Sequence, residues 1–190
     1  MKRNLTIIAL LFALIGSMAL AEVTVKKPRF FGPERNPSIV DIVLNMNKAT
    51  ATAENPGQFS ILIAALGVAD PAVSEILSGQ KWGYYTLFAP TDEAFVGLLG
   101  ELGLTAEELL GQPELVTEVL KYHVVAGTNY AFRVVKSPRL QTLTGDFVLQ
   151  EGGVLTDASM REANIIAVDF PTVNGAIHVI DKVILPIDIR

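Results

Sequence analysis

The chain is predicted to fold as an α+β protein, and three observations carry that prediction. Apolar residues recur at helical spacing through the first part of the 190-residue chain, short β-prone runs split by turn signals fill it from Leu140 onward, and an Asn-Gly pair sits between the last two of those runs. Helices gathered before strands argue against the alternating order of a parallel α/β sheet.

Residues 1–21 have the features of an export signal. Lys2 and Arg3 precede an uncharged run of 16 residues, Leu5 to Leu20, and Ala19-Leu20-Ala21 supplies small residues before the expected cleavage between Ala21 and Glu22. That run is shorter than the roughly 20 residues of a membrane-spanning helix. Charged residues interrupt every later apolar run, so no transmembrane segment is expected after signal removal. Residues 22–37, with Pro28, Pro33 and Pro37 among several charges, follow neither period and are expected to form an extended arm ahead of a domain at 38–188.

The domain opens with a helix. Ser38 can cap it with Asp41 three residues on, and Ile39, Ile42, Val43 and Met46 share a face as far as about Lys48. After a polar loop at 49–57, Phe59, Leu62, Ile63 and Leu66 repeat the pattern, and Asp70-Pro71 starts a short third helix that Gly79 stops. Tyr84 to Ala89 is aromatic and β-prone, and it leads into Pro90-Thr91-Asp92-Glu93, where Thr91 caps a helix whose first turn carries acids favoured by the helix dipole. Thr105 and Glu108 form a second capping box. Pro113 opens a helix with Leu115, Val116, Val119, Leu120 and His123 on one side. Asn164–Phe170 and Ala176–Leu185 should pair as a hairpin across Asn174-Gly175, with Ile177, Val179, Val183 and Leu185 on one face and a bulge or a solvent-facing bend at Asp181-Lys182.

Several chemistries have little to work with. There is no cysteine, hence no disulfide, thiolate metal site or thiol nucleophile, and only His123 and His178 could supply imidazoles. No metal or other cofactor is expected. Gly-x-Ser-x-Gly and phosphate-binding glycine loops are missing as well. Without Lys2 and Arg3 the 15 basic residues fall to 13 against 20 acidic ones, a net charge of −7, which repels nucleic-acid backbones. The sequon Asn4-Leu5-Thr6 lies inside the signal, and Asn36-Pro37-Ser38 is blocked by its proline.

Three segments together resemble the fasciclin-like domain family. They are Thr86-Leu87-Phe88-Ala89-Pro90-Thr91-Asp92-Glu93-Ala94-Phe95, Leu120-Lys121-Tyr122-His123-Val124-Val125, and the closing run from Asn174 to Pro186. The resemblance spans roughly Pro37 to Pro186. It implies a helical layer packed on a β-sandwich or wedge of short strands, and a secreted or periplasmic, non-catalytic adhesion module whose partner is a cell-surface or matrix protein or glycan, with a role in matrix or biofilm attachment. The family's Tyr-His motif implies binding through Leu120, Tyr122, His123, Val124 and Val125, residues that also suit a core. A small-molecule or lipid carrier is the alternative, requiring a pocket lined by residues such as Phe132, Phe147 and Phe170. A hydrolase would require His123 or His178 in a cleft beside a serine or carboxylate. N-terminal sequencing of the exported product is expected to begin at Glu22; a start at Met1 would make the apolar segment a retained anchor.

Overall fold

The computed structural model describes residues 36–53, 55 and 57–186; the expected signal at 1–21 and all but the last two residues of the expected arm lie outside them. Six helices precede most of the sheet. Helix α1, Ile39–Thr50, begins with the expected reciprocal cap: the Ser38 hydroxyl accepts from the Asp41 N–H at 3.2 Å while the Asp41 carboxylate accepts from the Ser38 N–H at 2.9 Å. Helices α2 (Ser60–Val68) and α3 (Pro71–Leu77) follow, then strand β1 (Tyr85–Pro90) and helices α4 (Asp92–Leu102), α5 (Ala106–Leu110) and α6 (Pro113–Tyr122). Strand β2 (Val124–Ala126) and the single turn α7 (Ala131–Val134) lead to β3 (Arg139–Gln141), β4 (Phe147–Glu151), β5 (Val154–Thr156), β6 (Glu162–Thr172) and β7 (Gly175–Ile180).

Asp92 does more than its place in the first turn of α4 suggested. Its two carboxylate oxygens accept from the Ser60 and Ile61 N–H groups at 3.0 and 2.8 Å, capping α2, whose own N-cap residue Phe59 provides no side-chain acceptor. Thr91 caps α4 as expected, accepting from the Ala94 N–H.

The seven strands form one sheet in the order β2-β1-β7-β6-β5-β4-β3, antiparallel except for the β1–β7 pair. One inward residue from each strand, Phe88, Val125, Leu140, Val148, Leu155, Ala163 and Ile180, meets the others in a single cluster with Tyr122, Val134 and Ile184. Side chains on opposite ends of a flat sheet could not meet, so the sheet curls nearly into a barrel. A bridge between Val125 and Thr142 links its two ends. The wedge is therefore made by one continuous sheet, and a larger second core, including Leu87, Ala89, Ile177 and Val179, lies between its outer face and the helices. Because β1 and β7 are covered on both faces, they read as nearly unbroken apolar runs.

The closing hairpin differs from expectation in two ways. Its second strand ends at Ile180 rather than Leu185, before the bend that was one of the two expectations for Asp181-Lys182, and the register shifts lie in β6, between Ile165 and Ala167 and between Ala167 and Phe170. The bulges belong there because β6 is the long strand that must bend around the barrel. Ile177, Val179, Val183 and Leu185 do share the helical side.

The hairpin turn is held by Asn174. Its amide oxygen accepts from the Ile39 N–H at 3.0 Å, and its amide nitrogen donates to the carbonyls of Ile76 and Leu77 at 3.0 and 2.9 Å, so one buried side chain joins the start of α1 to the end of α3. Gly175 follows at φ +153°, where a Cβ would collide with the Tyr85 carbonyl. Replacing Asn174 by alanine orphans buried backbone groups on two helices. Urea denaturation of Asn174→Ala is expected to show a loss of about 2–4 kcal/mol, and an unchanged midpoint would remove the turn from its structural role.

Candidate functional site

Helix α6 ends where the two cores meet, and the Tyr-His segment lies at that point. Leu120, Tyr122, His123, Val124 and Val125 are all buried, none more than 4 % exposed. Direct contact with a partner through these side chains would require exposure they do not have. They divide between the cores: Leu120 and Val124 face the helical side, while Tyr122 and Val125 face the barrel interior.

Tyr122 closes the barrel with its hydroxyl, which donates to the Phe147 carbonyl at 3.0 Å and accepts from the Ala158 N–H at 3.2 Å. Burial of the phenol, where the charged form would lose its hydration, pushes its pKa up to about 12. His123 is the C-cap of α6, and its ring lies on the same side as Val116, Val119 and Leu120. Its Nδ1 lies 2.7 Å from the Val119 carbonyl and its Nε2 accepts from the Ile184 N–H at 3.2 Å, which fixes a neutral ring carrying its proton on Nδ1. Burial drives its pKa down to about 4, against a smaller opposing effect of the Val119 carbonyl.

His178 is held in the opposite tautomer. Its Nε2 lies 2.7 Å from the Asn129 carbonyl, its Nδ1 accepts from the Asp169 N–H at 3.4 Å, and its ring stacks on Phe88 at 5.6 Å. Thr86 supports the same loop, donating to the Gly127 carbonyl and accepting from the Asn129 N–H. Both imidazoles thus have both nitrogens directed at backbone groups and neither opens to a cleft. Among the described residues, no three or more acidic or histidine side chains gather in a way that could hold a metal ion. Nor is any helix there long and apolar enough to cross a membrane.

The aromatic residues expected of a carrier do not converge. Phe132 on α7 and Phe147 on β4 are exposed, and Phe170 packs partly buried against the helical core. An enclosed space between α2, α4, α5 and α6 holds about 10 Å³, too little for a lipid chain or other small ligand.

What the surface does offer is an aromatic groove of about 380 Å³ where α3 gives way to β1. Trp82 stands on its rim completely exposed, Tyr84 is 65 % exposed and Val173 lines the wall. The groove rests on fixed backbone. The Tyr84 carbonyl accepts from the Gly127 N–H at 2.6 Å, and the Tyr85 N–H donates to the Asn174 carbonyl at 2.9 Å. Sequence reasoning passed over Trp82; its signal is the chain's single tryptophan, set between Gly79 and Gly83 and one glycine away from Tyr84.

Comparison with known proteins follows the same lines. The fasciclin domain family model matches residues 57–186. The immunogenic protein MPB70 of Mycobacterium bovis is 33 % identical over 98 % of this chain and 99 % of its own length. Protein sll1483 of Synechocystis is 38 % identical over 67 % of each chain, and the cell surface glycolipoprotein MPB83 of M. bovis is 32 % identical over 73 % of this chain and 60 % of its own. A solved FAS1 domain pair from the insect cell adhesion molecule fasciclin I aligns with a TM-score of 0.49 at 20 % identity, covering 63 % of this chain and 42 % of that one.

The depressed pKa of His123 has a consequence for stability. An unfolded histidine takes up its proton near pH 6.5 and the folded one only near pH 4, so the unfolded state binds more protons between those values. Stability should be full above about pH 6.5 and fall by on the order of 3 kcal/mol as the pH drops towards 4. Denaturant titrations across that range, with His123→Gln beside the wild type, test this. A variant that retains the full wild-type slope would assign the acid sensitivity to other groups.

Proposed function

From the premise that the chain belongs to the fasciclin domain family, we propose that it acts outside the cytoplasm, in the envelope or the medium, as a non-catalytic adhesion module that contributes to surface or matrix attachment. The carrying observation is a division of labour between interior and surface. Tyr122, His123 and His178 are buried and hydrogen-bonded to the backbone, whereas a tryptophan and a tyrosine stand in solvent on a rigid floor. Exposed aromatic side chains over a preorganised support are the features that concentrate binding energy at interfaces. The basic, apolar and small-residue order of residues 1–21 supports export, and the relatives named as cell-surface and immunogenic proteins support a place outside the cell.

In this reading Leu120, Tyr122, His123, Val124 and Val125 act through the fold, holding the strands and loops that carry the contact surface. Each copy of the domain presents one such face, so useful avidity comes from many copies on a surface. Purified residues 22–190, immobilised and exposed to envelope and culture-medium fractions, should retain a specific surface protein or glycan. Trp82→Ala should lose it with an unchanged circular dichroism spectrum, while His123→Ala should lose it only in proportion to its loss of folded protein. Retention of nothing but lipid, or equal retention by Trp82→Ala, would sink the proposal in this form.

A further inference from the structure

The groove at Trp82 and Tyr84 has a chemistry more specific than general stickiness, and we propose that it is a saccharide-binding subsite for a neutral glycan chain. The inference rests on the adhesion reading above and names the class of ligand. Its first support is the pair of aromatic faces. Trp82 and Tyr84 are separated by a single glycine and both stand in solvent beside a cleft of about 380 Å³, within the small-molecule range of roughly 300–1,000 Å³. An aromatic face is electron-rich, and the C–H bonds on one side of a pyranose ring carry the partial positive charge that packs against it.

Charge is the second support. Lys81 is the only formally charged residue lining the groove, and its ammonium is engaged by the Glu75 carboxylate at 2.7 Å. An anionic ligand would have to compete with that carboxylate. The remaining polar groups, including the exposed Gln80 amide, are uncharged and suit hydroxyls. Backbone geometry is the third. Strand β1 is flanked by β2 and β7, so an extended peptide has no open edge of β1 to join beside the groove. That removes strand addition as a mode of binding and leaves the contacts to the groove's side chains and loop.

Trp82 is the chain's single tryptophan, so its fluorescence reports on the groove alone. The exported full chain would be titrated with cellohexaose, laminarihexaose and chitohexaose, with a heparin-derived hexasaccharide as the charged control. A saturable blue shift and protection from acrylamide quenching are expected with at least one neutral oligomer, weakened about tenfold or more in Tyr84→Ala. Calorimetry should show the same loss for Trp82→Ala. No saturable change into the millimolar range with any neutral oligomer, an equal response in Tyr84→Ala, or a response to the charged oligomer alone would each overturn the proposal. If the immobilised chain still retains a surface protein in that case, adhesion stands and only the saccharide assignment falls; if it retains nothing, both fall together.

Discussion

The junction at Tyr122-His123 is the constraint on which the rest of the structure depends. There the last turn of α6 becomes strand β2, and four consecutive buried positions, Tyr122 to Val125, must serve two cores at once. The His123 carbonyl accepts from the Phe88 N–H of β1, while its ring bridges the Val119 carbonyl and the Ile184 N–H. One residue therefore ties a helix end, the sheet and the closing segment. Tyr122 extends the tie across the barrel to Phe147 and Ala158, and Asp157 secures the far end by accepting from the Ser159, Arg161 and Leu185 N–H groups. Such buried networks fix one arrangement of the chain because breaking them leaves polar groups desolvated.

That commitment limits what the interior can do. A general base needs a lone pair facing a substrate, and the imidazoles of His123 and His178 face backbone groups instead. A carrier needs room, and the side chains around the inner space beside His123 pack to near contact. Recognition then falls to the surface, where contact residues require support more than reactivity.

Much of this was legible in the sequence because the relevant signals are local. Ser38 with Asp41, Thr91, and Thr105 with Glu108 cap the helices they were expected to cap, since a cap is decided within four residues. The apolar face of Ile177, Val179, Val183 and Leu185 was legible for the same reason. Long-range effects were not. That Asp92 caps α2 across 32 positions, or that β1 runs parallel to β7, depends on which elements become neighbours in space. The bend at Asp181-Lys182 was one of the two readings that its local polarity offered, whereas the bulges of β6 were not legible because the bending of that strand is imposed by closure of the barrel. The Tyr-His residues drew attention through resemblance, and their burial shows that a recognisable motif can mark an internal joint. Trp82 stands in a glycine-flanked loop outside the helices and strands and was passed over.

The groove and the joint are nevertheless parts of one mechanical unit. Asn174 lines the groove, yet its side chain is committed to Ile39, Ile76 and Leu77, and its carbonyl receives the Tyr85 N–H. From Tyr85 the parallel pairing of β1 with β7 runs through Phe88, where the strand meets both the His178 ring and the His123 carbonyl. The exposed aromatics therefore stand on backbone whose position is set by the interior. A surface held in this way gives up little freedom when a ligand arrives, because its ordering cost was met during folding. The buried Tyr-His segment is thus joined to strand β1, just before whose start Tyr84 stands, and in the adhesion proposed above it acts without touching what is bound.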